Sequence, residues 1–332
     1  MKQYTLDFEK PIRELELKIN ELEEFAKEGK IGLDGEIERL RQKAEKQKKE
    51  IYSKLNRWQH VQLARHPNRP YAQDYIDLII EGFEELHGDR NFRDDRAIIA
   101  GLGRMKRVST SSTVDEDSDD FRVAIIAQQK GRGTKDNLKR NFAMPHPEGY
   151  RKALRVMHLA EKFNLPIITL IDTPGAYPGL GAEERGQAAA IAENLFAMAQ
   201  LSVPLVAVII GEGGSGGALA LGVADRVFML EHSVYSVITP EGCASILYRD
   251  ASFAETAAEA MKLTSTDLLG FKVIDQVIKE PVGGAHTGIE AVAKDIRILV
   301  SKAFTELQGI DCDARIQARV EKYAEMGRWI EN

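Results

Sequence analysis

The stretch VPLVAVIIGEGGSGGALALGV, residues 203–223, places a run of glycines between an apolar segment and a second apolar segment. Residues 203–210 predict a buried strand, and residues 216–223 predict a short helix. Five glycines fall within residues 211–217, at the junction between the two. The first N–H groups of a helix have no acceptor inside it, and glycines let a ligand approach them closely. The stretch therefore predicts an α/β fold with a turn that binds a phosphate or stabilises an oxyanion.

A dinucleotide-binding motif is one alternative for this run. Gly211, Gly213 and Gly216 match the pattern G-x-G-x-x-G. The next predicted strand begins at residue 226, about ten residues after Gly216, and this leaves only about two turns of helix. A dinucleotide-binding unit needs a longer crossover between its strands, so the context disfavours this motif.

A serine nucleophile is the second alternative. Residues 213–217 match G-x-S-x-G, and Asp275 and His286 follow Ser215 in the order that a hydrolase triad requires.

A third interpretation needs no nucleophile, because backbone N–H groups alone can hold an enolate or a similar anion. The glycines could also serve only close packing of the helix on the strand, although five in seven positions exceeds the usual need.

A second glycine-rich turn supports the oxyanion interpretation. Residues 165–171 predict another buried strand, which leads through DTPGAYPGLG, residues 172–181, into a helix over about residues 183–200. Both turns follow the carboxyl ends of buried strands, where open α/β folds place their ligands. Gly175 and Ala176 could thus supply a second N–H donor to the oxygen held by the first turn.

Motifs along most of the chain resemble the alpha subunits of bacterial acetyl-coenzyme A carboxylase carboxyltransferases. The matching segments occur in order and lie at residues 63–71, 129–132, 141–145, 147–154, 171–186, 210–220, 235–238 and 240–247. The resemblance implies a crotonase-like spiral of ββα units. A hydratase of that superfamily carries a catalytic glutamate just after the glycine turn, and the aligned residue here is Ala218. The resemblance therefore favours carboxyl transfer over hydration.

The same resemblance implies the chemistry. Such an enzyme transfers a carboxyl group from carboxybiotin to acetyl-CoA and gives malonyl-CoA, the first committed step of fatty acid biosynthesis. The N–H groups of Gly216 and Gly217 would form the oxyanion hole on the biotin side. Lys130 and Arg132, in a basic stretch, together with Tyr177 are candidate contacts for the anionic ligands.

The resemblance also implies partners. They are a carboxyltransferase beta subunit that contains zinc and assembles as alpha2beta2, the biotin carboxyl carrier protein and biotin carboxylase. The beta subunit would bind acetyl-CoA. A homo-oligomeric crotonase that acts on an acyl-CoA stays an alternative at this point.

Composition narrows the class of protein further. The chain has 332 residues, 29% of them charged, and a formal net charge of −6, which indicates neither nucleic-acid nor membrane binding. Its two cysteines form no C-x-x-C pair, so no zinc site or other metal site is expected in this chain. Without a signal peptide or a long apolar span, the sequence predicts a cytoplasmic protein.

Three regions are expected along the chain. Residues 1–60 predict a helical hairpin, divided at Gly29 and Gly32, which either packs on its own core or contacts another subunit. Residues 61–285 would form the crotonase-like core, and residues 286–332 would form C-terminal helices. An acidic, Ser/Thr-rich insertion at 108–120 between two strands predicts a solvated hairpin tip, to which we assign no function.

Overall fold

The computed structural model describes residues 4–27, 33–108 and 120–327. The strands are β1 (Glu81–Glu85), β2 (Ile98–Met105), β3 (Phe121–Gln128), β4 (Ile167–Thr173), β5 (Leu205–Gly214), β6 (Arg226–Leu230), β7 (Val234–Ser236) and β8 (Gln276–Ile278). They form one sheet in the order β1-β2-β3-β4-β5-β6-β8, with β7 paired to the end of β5. The first two pairings are antiparallel and all later ones are parallel.

Helices surround this sheet. They are α1 (Lys10–Lys27), α2 (Asp34–Tyr52), α3 (Arg57–Ala64), α4 (Ala72–Ile79), α5 (Gly133–Lys139), α6 (Pro147–Lys162), α7 (Leu180–Glu184), α8 (Gln187–Gln200), α9 (Ser215–Leu219), α10 (Pro240–Tyr248), α11 (Ala254–Met261), α12 (Ser265–Gly270), α13 (Ile289–Gln308) and α14 (Cys312–Ala324). Short 3₁₀ turns lie at Asp7–Glu9, Asn141–Ala143, Ala251–Phe253 and Ala285–Thr287. None of the helices described is long and apolar enough to cross a membrane.

The central strand β5 is buried along its whole length. Val206 and Val208 pack on one face of the sheet with α4 and α13, whereas Ala207 and Ile209 pack on the other face with α6 and α8. Because successive side chains point to opposite faces, a strand that is covered on both must be apolar at nearly every position. This explains the continuous apolar run that predicted the strand.

Two helices differ from their sequence-based bounds. The helix expected over residues 216–223 is the five-residue α9, which ends at Leu219. The helix expected over about residues 183–200 is divided into α7 and α8, because Gly186 between them adopts a left-handed conformation with φ 81°. Glycine adopts this conformation without strain, and a regular helix cannot continue through it.

The N-terminal region is the predicted helical hairpin of α1 and α2. The two helices share a small apolar core centred on Ile19, Ile37 and Ala44. Gly29 and Gly32 lie outside the described residues, as does most of the acidic insertion at 108–120. The strands β2 and β3 on either side of that insertion pair in antiparallel register, as expected.

The C-terminal helices pack directly on the core. Val292, Ile296 and Phe304 of α13 belong to the cluster that covers one face of the sheet. In α14, Arg319 forms a buried ion pair with Asp225, with 2.8 Å between Nε and Oδ1. The boundaries proposed at residues 60 and 285 stay predictions.

Candidate active site

The two glycine turns lie side by side at the carboxyl edge of the sheet. Strands β4 and β5 are parallel neighbours, and Thr173 pairs with Gly213 at the end of their ladder. One turn begins at Pro174, directly after β4, and the other leads from β5 into α9. Since parallel strands end at the same edge, the two turns meet there, as the sequence predicted.

Backbone contact between the turns explains two of the glycines. A Cβ atom on Gly217 would lie 2.5 Å from the Ala176 nitrogen and 2.5 Å from the Gly175 carbonyl carbon. A Cβ atom on Gly214 would overlap the Pro174 carbonyl group. Close packing is therefore a real requirement of this run, and at Gly217 it coincides with the predicted oxyanion hole.

The first turn of α9 has N–H groups that no hydrogen bond within the helix uses. Ser215, Gly216 and Gly217 begin this helix, so their N–H groups precede its first internal hydrogen bond. Ser215 has φ 56°, a left-handed conformation that costs a non-glycine residue energy and is typical of functional turns. Ser215 is exposed and Gly216 is half-buried, so the turn opens to the surface.

The three N–H groups that follow Pro174, in the turn after β4, differ in their acceptors. The Gly175 N–H donates to Thr173 Oγ1 over 3.1 Å, and the Tyr177 N–H donates to the Pro145 carbonyl over 3.0 Å. The structure gives the Ala176 N–H no protein acceptor within the described ranges. Of the pair predicted as a second donor site, Ala176 is thus the member whose N–H group is available.

A mostly apolar cavity of about 340 Å³ adjoins the start of α9. Ser215 and Gly216 form part of its wall. The side chains that line the rest include Leu219, Tyr235, Val237, Leu268, Val273 and Met326. Burial raises the pKa of Tyr235 to about 12, so its hydroxyl is neutral at physiological pH. The cavity suits an apolar ring whose polar edge reaches the N–H groups of the turn.

The predicted ligand contacts have different surroundings. Lys130 lies next to the end of β4, with its Nζ 2.5 Å from Oδ1 of the buried Asp172. The Tyr177 ring packs on His146, with 4.2 Å between the ring centroids. Arg132 instead pairs with Asp74 at 2.5 Å and covers the ring of Tyr71, so it contacts residues around α4 rather than a glycine turn.

A charged group that the sequence did not reveal supports the turn between β5 and α9. The Arg65 guanidinium lies 2.6 Å from Glu212 Oε1 and 2.6 Å from Glu241 Oε1, which connects β5 to the start of α10. Burial alone would raise the pKa of Glu241, but the hydrogen bond from Arg65 lowers it below its ordinary value. A glutamate inside an otherwise apolar and glycine-rich run was the available signal for this pairing.

The structure does not assemble the serine triad. Asp275 accepts hydrogen bonds from the Val227 N–H and from Lys322. His286 stacks on His66, with 4.1 Å between parallel rings. In the described part of the chain neither residue makes a hydrogen bond with Ser215, so the hydrolase alternative loses its base. The five-residue α9 likewise disfavours the dinucleotide motif.

Two solved structures with a similar fold come from a transcarboxylase and from an acyl-CoA carboxylase. A transcarboxylase 12S chain matches with a TM-score of 0.55 and 17% identity, over 81% of this chain and 46% of that one. The beta subunit of P. aeruginosa geranyl-CoA carboxylase matches with a TM-score of 0.53 and 18% identity, over 76% and 44% of the two chains. At such identities these likenesses define the fold, which is crotonase-like as predicted.

Sequence relatives define the family. The family model described as acetyl co-enzyme A carboxylase carboxyltransferase-like matches residues 5–327. The acetyl-coenzyme A carboxylase carboxyl transferase subunit alpha of Dichelobacter nodosus is 51% identical over 325 residues, covering 98% of each chain. That of Chlorobaculum parvum is 53% identical over 339 residues, also covering 98% of each. This chain belongs to the acetyl-coenzyme A carboxylase carboxyltransferase family, which confirms the resemblance seen in the sequence.

The family assignment is consistent with the site. Its members' designation as a subunit implies a complex of several chains. Among the described residues, no group of three or more His, Cys, Asp or Glu side chains is placed to hold a metal ion.

Proposed function

We propose that this chain is the alpha subunit of a heteromeric acetyl-CoA carboxylase and that it transfers the carboxyl group of carboxybiotin to acetyl-CoA. The observation that carries this proposal is the position of the α9 N–H groups beside the apolar cavity. The ureido carbonyl of biotin would face the N–H groups, and the sulfur-containing ring would occupy the cavity.

The N–H groups of Gly216 and Gly217 stabilise the charge that transfer creates. The bond between the biotin nitrogen and the carboxyl carbon breaks, carbon dioxide forms, and negative charge collects on the ureido oxygen beside these donors. The methyl proton of acetyl-CoA passes to the biotin nitrogen, and the resulting enolate carbon bonds to carbon dioxide to give malonyl-CoA. The Ala176 N–H is a candidate third donor to the ureido oxygen.

No protein acid or base is needed at the start of α9 for this sequence of steps. Ala218, which aligns with the catalytic glutamate of a hydratase, is fully buried and apolar. Electrostatic stabilisation by fixed donors is therefore the main contribution of this chain to the rate. Lys130, Arg132 and Tyr177 remain proposed contacts for the anionic ligands.

Partner subunits complete the proposed enzyme. A zinc-containing beta subunit binds acetyl-CoA and stabilises its enolate, in an alpha2beta2 assembly. Biotin carboxylase charges the biotin that the carboxyl carrier protein delivers to this site, in the cytoplasm. The designation of the relatives as subunit alpha supports such a division of labour.

Reconstitution tests the proposal. This chain alone should be catalytically inactive. Mixing it with a beta subunit should produce malonyl-CoA decarboxylation that depends on free biotin, which is the reverse half-reaction. The beta subunit alone is the matched control. Full activity of the isolated chain, or an inactive but assembled mixture, would contradict the proposed split site.

A further inference from the structure

Gln128 occupies the point at which the ladder between β3 and β4 ends. The last paired residues of these strands are Ala127 and Leu170. Gln128 follows directly, at the end of β3, and its side chain is completely buried. Beyond this point the two strands are connected by the Gln128 side chain instead of by backbone pairing.

The Gln128 amide joins α9 to the end of β4, directly before the other glycine turn. Its Nε2 donates to the Gly217 carbonyl over 2.6 Å, and its Oε1 accepts from the Asp172 N–H over 3.2 Å. A carbonyl can only accept and a backbone N–H can only donate, so the two partners fix the orientation of the amide. One side chain therefore holds α9 at a set position relative to the end of β4.

Such a restraint matters because glycine turns are conformationally permissive. Gly216 and Gly217 have no side chains that could lock the direction of their N–H groups. An oxyanion hole works only when its donors are aimed before charge develops. On the strand side of the turn, Asp172 Oδ1 accepts from the Glu212 N–H over 2.9 Å and from Lys130. On the helix side, the hydrogen bond from Gln128 restrains the carbonyl of Gly217, in the first turn of α9.

We infer that Gln128 is a positioning residue of this enzyme: its amide fixes the peptide between Gly217 and Ala218. It thereby limits how far the preceding N–H groups of Gly216 and Gly217 can turn away from the anion. The inference rests on the proposed function, since it assigns Gln128 a part in stabilising the same anion. Gln128 acts through Gly217 and does not itself contact the substrate.

Two substitutions and one matched control test this inference in the reconstituted complex. Q128L keeps the approximate size and removes both hydrogen bonds. Q129L removes the neighbouring buried amide, which bonds the Gln73 N–H and the Lys130 carbonyl and touches neither glycine turn. Q128L should lower kcat by about 10- to 100-fold with little change in the KM for malonyl-CoA, because a small misplacement of donors costs rate rather than binding. Q129L should stay near the wild-type kcat.

Q128E adds a readout that a purely structural role would not change. The introduced carboxylate cannot donate to the Gly217 carbonyl, whereas its protonated form can donate there and still accept from the Asp172 N–H. Burial and the nearby Asp172 carboxylate favour protonation, and Lys130 opposes it. The kcat of Q128E should therefore rise relative to the wild type as the pH falls, and that of Q128L should not.

Amide hydrogen exchange in residues 211–219 separates the inference from the proposed function. Q128L should exchange faster than the wild type in this segment, and Q129L should not. An active wild-type complex together with unchanged kcat and exchange in Q128L would overturn the inference alone. An equal loss of kcat in Q129L would overturn it as well. An inactive wild-type complex would overturn the proposed function, and with it the catalytic part of the inference.

Discussion

At Gly214 and Gly217 a hydrogen atom is the only substituent that the packing of the two glycine turns admits. Both positions face backbone atoms of the other turn, which cannot move aside as a flexible side chain could. The same contact brings the donors of α9 close to Ala176. The packing of the two turns and the proposed anion stabilisation thus both require glycine at these positions. This explains why the run contains more glycines than packing alone usually needs.

The Ser215 hydroxyl should be dispensable. If the turn works through its backbone N–H groups, Ser215→Ala should keep turnover within about tenfold of the wild type, whereas loss of a nucleophilic serine costs several orders of magnitude. Steady-state turnover of the reconstituted complex measures this. Covalent labelling of Ser215 by a fluorophosphonate probe would favour the hydrolase and contradict the account.

At the scale of single elements, the helical hairpin has both a core of its own and an apolar surface. Its side chains Leu17 and Phe25 are 46% and 57% exposed, although the two helices already bury Ile19 and Ile37 against each other. The hairpin contacts the rest of the chain through aromatic rings, such as Tyr52 against His232 and Tyr4 against His66. These features are compatible with the predicted role in subunit contact.

Deletion of residues 1–53 tests that role. If the hairpin contacts another subunit, the truncated chain should fold but assemble more weakly with the beta subunit. Analytical ultracentrifugation measures this assembly. A full-length variant with Leu17→Ser and Phe25→Ser keeps the hairpin and removes only its exposed apolar side chains. Unchanged assembly of the truncated chain would leave the hairpin a merely structural role.

The histidines at the base of the hairpin predict a loss of stability in acid. Burial, and the neighbouring His66, lower the pKa of His286 to about 4, and burial together with His232 lowers that of His60 to about 4. A histidine whose pKa is lower in the folded state opposes protonation there. The free energy of unfolding should therefore be unaffected by these groups above about pH 6.5 and should fall as the pH drops from there towards 4.

The thermal midpoint measured between pH 7.5 and pH 4.5 checks this expectation. It should fall in acid by about 1–2 °C for each kcal/mol lost, since the chain is long. His286→Phe keeps an aromatic ring against His66 and removes one titrating group, so its midpoint should fall less than that of the wild type. An equal fall in both proteins would show that this histidine pair is not responsible.

At the scale of the whole molecule, the sequence predicted the buried strands, the hairpin and the two facing turns because each depends on residues close together in the chain. Continuous apolar runs such as residues 203–210 indicate a strand that is buried on both faces of its sheet. The spiral topology came from the resemblance to a family, since local patterns do not specify which strands pair.

What the sequence did not reveal are the contacts between distant residues. Gln128 and Gly217 are 89 positions apart, and Arg65 and Glu212 are 147 apart. No local pattern marks one glutamine or one arginine as the partner of a particular turn. The break at Gly186 and the use of the Gly175 N–H by Thr173 depend likewise on backbone conformations that composition does not encode.

The N–H groups at the start of α9 are proposed to stabilise the anion formed during carboxyl transfer. Turnover of malonyl-CoA by the complex that carries Gly217→Val measures this stabilisation. Gly270→Val is the control, because a Cβ atom on Gly270 meets open space. Loss of one oxyanion donor typically costs about 10²–10³ in rate, so Gly217→Val should lose at least that much while Gly270→Val stays near the wild type. Thermal midpoint and assembly are measured beside the rate, since a side chain at Gly217 also costs stability. A folded and assembled Gly217→Val complex with near-normal turnover would contradict the account.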